Sequence, residues 1–310
     1  MDSLWENTLR LSIVHIMIYP TFQWGEASFL DTFNRLVQDD FFSVVELAGF
    51  RDPELRKAMR HTAETASISL TYGAQLDLLS QKLDLNSQNE DERQSAIRQA
   101  KVCIDEAHEL GAERMSLLSG PDPGGDQRAE ATRLLVDSLD QVCTYGEEKR
   151  IPITLETFDR EVEKKCLVGP SGEAAAIART IRKDHPDFGI MYDMAHGPLL
   201  NEDPRRALAV LRRYLVHIHV GNCVKAAGHP AYGDKHPRFG IERGEHDTQD
   251  LARFLRILFD IGYLGKKTTS DTTLPIVGFE IKPMPGETPD AVIAGTKRAW
   301  RQAWAECRRG

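Results

Sequence analysis

The amino-acid sequence predicts an α/β fold, a closed barrel of eight parallel strands with a helix after each. Eight short apolar runs alternate with amphipathic stretches along the 310 residues, and such strict alternation is typical of parallel sheets. No Pro- or Ser-rich linker separates the units, so we expect one domain over residues 1–310. The first run leads into IYPTFQWGEAS, which lacks the glycine-rich phosphate loop of an open dinucleotide-binding sheet. These observations favour a (β/α)8 TIM barrel.

Each element follows from its local pattern. Short apolar runs predict strands over residues 11–19, 42–49, 67–73, 114–120, 151–158, 188–195, 215–221 and 274–281. Amphipathic stretches predict helices over residues 27–39, 53–66, 90–110, 127–148, 171–184, 203–214, 248–262 and 288–307. Asp52 is a suitable N-cap with Pro53 at the first helical position, and Gly111 is suited to end a helix. The polar stretch 266–273 predicts a surface loop.

Composition excludes several classes of protein. A net charge of −8 gives no long-range attraction to nucleic acid, so we do not expect a nucleic-acid partner. No apolar run is long enough to span a bilayer, and MDSLWENTLRL has no basic flank before an apolar stretch, so neither a membrane span nor a signal peptide is expected. The five cysteines are scattered without a CxxC pair, which favours reduced thiols and a cytoplasmic location.

Ligand-type side chains lie at the ends of four consecutive predicted strands, five to eight. They are Glu156, Asp193, His219 and Glu280. In a barrel of parallel strands these ends converge on one mouth, where three carboxylates would repel one another. A divalent cation removes that repulsion, and three oxygen ligands with one nitrogen suit Mn²⁺ first, with Mg²⁺, Co²⁺ or Zn²⁺ as alternatives. Any one of these residues could instead cap a helix or pair with a lysine, so the prediction depends on the set.

Four motifs in this order, TLETF, YDMAH, HIHVGN and GFEIKP, resemble the xylose-isomerase-like barrel superfamily over nearly the whole chain. That superfamily includes sugar isomerases, ketose 3-epimerases and endonuclease IV. The resemblance implies that the four strand-end residues hold one divalent ion. It also implies that His196, three residues after the aspartate, binds substrate oxygens. Lys225 is the nearest match to a cation that contacts substrate after the seventh strand in the epimerase branch.

The predicted reaction is metal-dependent isomerisation or epimerisation of a sugar or a sugar-like hydroxy-carbonyl compound. A metal that polarises the carbonyl acidifies the neighbouring C–H and stabilises the enediolate. One carboxylate removes this proton and a second, on the opposite face, can return one. Glu156 and Glu280 are the candidate catalytic carboxylates. Epimerisation needs both, whereas aldose–ketose isomerisation can use one carboxylate twice.

The connection after the seventh strand, residues 221–247, is longer than most strand-to-helix loops, which is typical of functional loops. It contains Asp234 and His236, a D-x-H pair that resembles zinc ligands of endonuclease IV and so raises a phosphodiesterase alternative with further metals. TYGAQ and LLSGPD, however, lack the histidines which that enzyme carries after strands three and four. A milder interpretation is that His229, His236 and Arg238 shape a substrate pocket or lid, with His236 and Arg238 as substrate-binding residues. The simplest is that Gly233, Pro237 and Gly240 only fix a turn.

A lyase is the second alternative, because the same proton abstraction leads to elimination if the neighbouring carbon bears a leaving group. The superfamily includes subunits that cleave C-glycosides of 3-keto sugars together with a small β-rich partner. For the terminal helix we expect Trp300 and Trp304 to pack on the barrel; a homo-oligomer contact is the other interpretation. A small-molecule carbohydrate is the expected substrate.

Overall fold

Eight strands close into a barrel in sequential order, and every neighbouring pair is parallel, so the predicted (β/α)8 class is confirmed. The computed structural model describes residues 4–20, 28–265 and 274–308. Nearly all strand residues are buried, because a parallel barrel is covered by helices outside and filled by side chains inside. The strands are β1 (Arg10–Val14), β2 (Val44–Leu47), β3 (Ser69–Gly73), β4 (Met115–Leu117), β5 (Ile153–Glu156), β6 (Gly189–Asp193), β7 (Leu215–Val220) and β8 (Ile276–Phe279).

The helices begin and end largely where local signals place them. Asp52 accepts hydrogen bonds from the backbone N–H of Glu54 and Leu55, and Gly111 adopts the left-handed conformation that ends a helix. The helices are α1 (His15–Ile18), α2 (Ser28–Val37), α3 (Pro53–Thr65), α4 (Gln75–Ser80), α5 (Glu90–Leu110), α6 (Arg128–Lys149), α7 (Ser171–Ile181), α8 (His196–Leu199), α9 (Pro204–Leu211), α10 (Thr248–Asp260) and α11 (Pro289–Cys307).

The first strand differs from its prediction. The apolar run 11–19 was expected to be extended throughout, but β1 ends at Val14 and the next four residues form α1. A continuous apolar run has no periodicity that separates a buried strand from a buried helical turn, so this prediction was wrong in its second half. The short helices α4 and α8 were not predicted. The loop predicted over 266–273 and the predicted helix start at residue 27 lie outside the described residues.

The terminal helix α11 covers one side of the barrel through its tryptophans. The Trp300 side chain is fully buried and meets Phe279 of β8 edge-on, with ring centroids 5.5 Å apart. It also stacks on Trp304 at 5.8 Å, and Trp304 is buried as well. Both rings therefore lie within the packing of this chain, as the first of the two interpretations expects.

Replacing Trp300 by alanine is expected to lower the free energy of unfolding by about 3–5 kcal/mol, because the indole leaves a cavity between α11 and the barrel. The loss can be measured from urea unfolding followed by circular dichroism. Val102→Ala on α5 is the control, since the Val102 side chain is 47% exposed and its loss should change stability by less than about 0.5 kcal/mol. Equal losses in the two variants would contradict the packing assigned to Trp300.

No helix among the described residues is long and apolar enough to cross a membrane. The five cysteines are buried free thiols. The connection from β7 to α10 runs over residues 221–247, and it lies on the face of the barrel where the carboxyl ends of the strands meet.

Candidate metal centre

Four strands that are neighbours in the barrel bring the predicted ligand set together. Each of the four residues offers one ligand atom, and these atoms all lie within 4.8 Å of one another. Each side chain sits at or next to the carboxyl end of its strand, so the parallel order of β5 to β8 places all four at one mouth. The set is Glu156, Asp193, His219 and Glu280.

The His219 imidazole lies at the middle of the set. Its Nδ1 atom is 2.8 Å from Glu280 Oε2 and 3.8 Å from Glu156 Oε1. The same nitrogen is 4.0 Å from Asp193 Oδ2. Three of the four side chains are almost completely buried, whereas Glu280 keeps 14% of its side chain exposed. The centre is therefore reached from solvent on the Glu280 side.

Two carboxylate oxygens in this centre are buried without a hydrogen-bond partner among the described residues, Glu156 Oε1 and Asp193 Oδ2. The other oxygen of each carboxylate is held: Gln75 Nε2 donates to Glu156 Oε2 at 2.7 Å, and the backbone N–H of Ala195 donates to Asp193 Oδ1 at 2.6 Å. A buried oxygen without a donor costs free energy unless a cation satisfies it. These residues therefore fit a divalent cation with mainly oxygen ligands.

The pKa values of the two candidate catalytic carboxylates, Glu156 and Glu280, are shifted in opposite directions by their surroundings. Burial, together with the nearby Glu280 carboxylate, raises the pKa of Glu156 to about 8. Burial alone would also raise the pKa of Glu280, but His236 and His219 outweigh it and lower this pKa to about 2. Burial likewise raises the pKa of Asp193. Two carboxylates at one mouth thus face different electrostatic surroundings.

Three positioning groups were not predicted from the sequence. Gln75, at the start of α4, holds Glu156 and also donates to Ser116 Oγ at 3.0 Å. Glu46 on β2 accepts a hydrogen bond from His219 Nε2 at 3.0 Å, and His217 donates to the same carboxylate at 3.1 Å. The signal that could have found Glu46 is an acidic residue inside the apolar run FSVVELAG.

Beside this centre, Asp234 of the long loop joins the two buried histidines that were predicted to bind substrate. Asp234 Oδ1 lies 3.1 Å from His196 Nε2 and 2.7 Å from His236 Nε2. The ammonium of Lys164 lies 3.0 Å from the other oxygen, Oδ2. His236 Nε2 is also 3.6 Å from Glu280 Oε1, so the loop residues border the ligand set directly.

The structure also indicates how these histidines are protonated. His196 Nδ1 faces the carbonyl oxygen of Thr157 at 2.7 Å and Nε2 faces Asp234, so both nitrogens donate to acceptors. Although burial lowers the pKa of His196, Asp234 and Asp193 raise it well above its usual value. His236 differs, because its Nδ1 atom has no hydrogen-bond partner among the described residues and lies 3.8 Å from Asp193 Oδ2. A second metal at Asp234 and His236 stays a prediction. The structure does not favour it, because both nitrogens of the neighbouring His196 are already hydrogen-bonded.

The two predicted substrate cations lie elsewhere. Lys225 is exposed, and its Nζ donates to Asn201 Oδ1 at 2.7 Å. Arg238 is exposed and its Nε donates to Glu287 Oε1 at 2.9 Å. Within the described ranges, neither side chain shares a hydrogen bond or an ion pair with the four predicted ligand residues. Substrate contact by Lys225 or Arg238 therefore stays a prediction, and Lys164 is the cation that the structure places beside Asp234.

The family model for the xylose isomerase-like TIM barrel matches residues 29–272. This chain belongs to that family. The resemblance drawn from the sequence motifs is thereby confirmed, and the family's barrel accounts for the parallel strands that carry the ligand set. A search of curated proteins found no match in sequence.

Solved structures share the fold of this family member over almost its full length. A D-tagatose 3-epimerase-like protein is 15% identical with a TM-score of 0.73, and the match covers 97% of this chain and 99% of that one. D-psicose 3-epimerase from Clostridium cellulolyticum H10, solved with D-tagatose, is 18% identical with a TM-score of 0.67 over 97% and 99%. The IolI protein, solved with a zinc atom, is 15% identical with a TM-score of 0.69 over 96% and 99%. At these identities the likeness is one of fold.

Proposed function

We propose that this chain is a divalent-metal-dependent isomerase or epimerase of a sugar or a sugar-like hydroxy-carbonyl compound. The observation that carries the proposal is the set of four residues whose ligand atoms lie within 4.8 Å of one another at the mouth, where two carboxylate oxygens have no donor among the described residues. Two proteins of similar fold are named as a 3-epimerase or as 3-epimerase-like, which supports this class of substrate. Mn²⁺ is the ion we expect, with Mg²⁺, Co²⁺ and Zn²⁺ as alternatives, and the zinc atom in IolI supports a site for one divalent ion.

When bound, a divalent cation would supply a Lewis acid that polarises the substrate carbonyl and an adjacent hydroxyl. Glu156 and Glu280 extend from strands on opposite sides of the set, with His219 between them. One carboxylate removes the proton next to the carbonyl, and the other returns a proton on the opposite face when the product is an epimer. Burial of Glu156 excludes water from its side of the substrate, and Gln75 keeps its carboxylate oriented.

Of the two buried histidines, His236 is the better donor or acceptor for a substrate hydroxyl, because its Nδ1 atom has no partner among the described residues. The nitrogens of His196 are already engaged with Thr157 and Asp234, so we assign His196 to holding the loop against the mouth. Burial lowers the pKa of His236, but Glu280 and Asp234 raise it to about 9, so this ring can donate to a substrate oxygen.

Incubation with candidate ketoses, D-tagatose and D-fructose first, in D₂O with Mn²⁺ tests the proposal. We expect deuterium bound to carbon next to the carbonyl, detected by NMR, together with the epimer or the isomeric aldose. Exchange accompanied by release of an aglycone from a 3-keto glycoside would instead assign the lyase, for which a small β-rich partner subunit is proposed. Nicking of abasic DNA without any exchange would assign the phosphodiesterase and overturn the proposal.

The unpaired cysteines favour a reducing compartment, so we propose a cytoplasmic enzyme. A homo-oligomer stays a prediction, since the two tryptophans that raised it are buried within this chain. Size-exclusion chromatography with light scattering of the purified chain would test that assembly directly.

A further inference from the structure

A buried carboxylate below the metal centre has no part in the proposed reaction. Glu46 lies on β2, and its side chain reaches past β1 and β8 to histidines on β7. It accepts hydrogen bonds from His219 Nε2 at 3.0 Å, from His217 Nε2 at 3.1 Å and from Ser12 Oγ at 2.5 Å. Burying a carboxylate away from water costs free energy, and the hydrogen bonds from these three donors offset that cost.

The hydrogen bond to Glu46 determines which nitrogen of His219 faces the centre. An ionised carboxylate can only accept, so the proton on His219 must lie on Nε2. Nδ1 lies 2.8 to 4.0 Å from the three predicted ligand carboxylates, and a divalent cation bound there would take the Nδ1 lone pair in place of the proton shared with Glu280. The opposite tautomer would place a proton where a cation needs a ligand.

The barrel provides space for this arrangement at Gly278 on β8. Gly278 is paired in register with Ser12 on one side and with His219 on the other. A Cβ atom there would lie 2.3 Å from Glu46 Oε1 and 2.5 Å from Ser12 Oγ. Any larger residue would therefore push Glu46 away from His219. His217 contacts the first oxygen of Glu46 and leaves the second for His219.

We propose that Glu46 is a positioning residue that fixes His219 with Nδ1 as the metal-binding nitrogen, and that Gly278 is required for this contact. The inference rests on the metal centre of the proposed function. The inference gives Glu46 a chemical role although this residue is not among the four proposed metal ligands or the substrate-binding residues. Outer partners of this kind typically change metal affinity by about 10- to 100-fold when they are removed.

Zinc titration against a competing chelator tests the proposal without any assay of activity. Glu46→Met keeps the length of the side chain but removes every acceptor, and we expect zinc affinity about 10- to 100-fold weaker. Glu46→Gln keeps one acceptor oxygen and should fall between Met and the wild type. Gly278→Ala removes no polar group and should weaken zinc binding in the same direction. The control is Glu106→Met on α5, which removes a mostly buried carboxylate that accepts from Tyr72 and pairs with Arg56, outside the predicted ligand set, and should leave zinc affinity unchanged.

Imidazole ¹⁵N NMR provides a readout that a purely structural role would not change. We expect His219 to carry its proton on Nε2 in the wild type with zinc, and to lose this preference in Glu46→Met. Unchanged zinc affinity in the folded Glu46 and Gly278 variants, or a wild-type His219 protonated on Nδ1, would overturn the inference. A wild-type chain that binds zinc in this way but never exchanges substrate protons would contradict the proposed reaction only.

Discussion

Asp193→Asn is expected to weaken the affinity for Mn²⁺ or Zn²⁺ by about 100-fold or more. The amide keeps the oxygen that accepts from the N–H of Ala195, but it places an NH₂ group where Asp193 Oδ2 now faces the centre with no hydrogen-bond partner in the described part of the chain. Four-ligand protein sites bind zinc with about 10–16 kcal/mol, so each ligand accounts for roughly 3 kcal/mol, a factor of about 150. Isothermal titration with each metal measures the change.

Asp260→Asn is the matched control, since Asp260 is an exposed residue of α10 that pairs with Arg205. It should bind metal like the wild type. Metal affinity that is the same in Asp193→Asn and in Asp260→Asn would exclude Asp193 as a ligand. It would also require another explanation for the two buried carboxylate oxygens that have no donor within residues 4–20, 28–265 and 274–308.

Glu280→Gln is expected to reduce deuterium exchange from D₂O by about a factor of 1,000 or more. General acid–base catalysis by one positioned group contributes about 10²- to 10⁴-fold, and Glu280 also belongs to the proposed ligand set. Exchange should be followed by NMR at saturating Mn²⁺, with the metal content of the same sample determined in parallel. A sample with full metal content and no exchange would assign Glu280 to proton transfer, whereas loss of both would assign it to metal binding.

Glu130→Gln controls for the loss of a carboxylate, because Glu130 is an exposed residue of α6 that pairs with Arg133. We expect its exchange rate to equal that of the wild type. Full activity in Glu280→Gln would remove this residue from the mechanism and leave Glu156 as the remaining carboxylate of the proposed catalytic pair.

The barrel and the ligand set could be predicted because both depend on local sequence. Each strand is a short apolar run, and its last polar residue points to the mouth once the strands are known to be parallel. Glu156 and Asp193 end their strands, and Glu280 directly follows one. The structure brings these residues together with His219, as the order of the strands requires.

The supporting residues could not be predicted, because their contacts depend on how strands that are distant in sequence meet inside the barrel. Glu46 is hydrogen-bonded to His217 and His219, which are 171 and 173 residues away in the sequence. The space for this contact is left by Gly278, and its role can be recognised only in the folded structure. Gln75 is a similar case, because it lies at the start of α4, just after β3, and donates a hydrogen bond to Glu156 at the end of β5. Lys225 was predicted to contact substrate because it lies close after β7 in the sequence, but its side chain bonds to Asn201. Lys164, in the loop that follows β5, is the lysine that lies next to Asp234.

Anomalous diffraction from crystals grown or soaked with Mn²⁺ tests the central claim most directly. We predict one manganese peak per chain at the mouth of the barrel, within about 2.0–2.3 Å of ligand atoms from four strands. Those ligand atoms should come from Glu156, Asp193, His219 and Glu280, with His219 bound through Nδ1. A mouth without a peak at saturating Mn²⁺, or a peak bound by other residues, would contradict the metal centre and the reaction proposed for it.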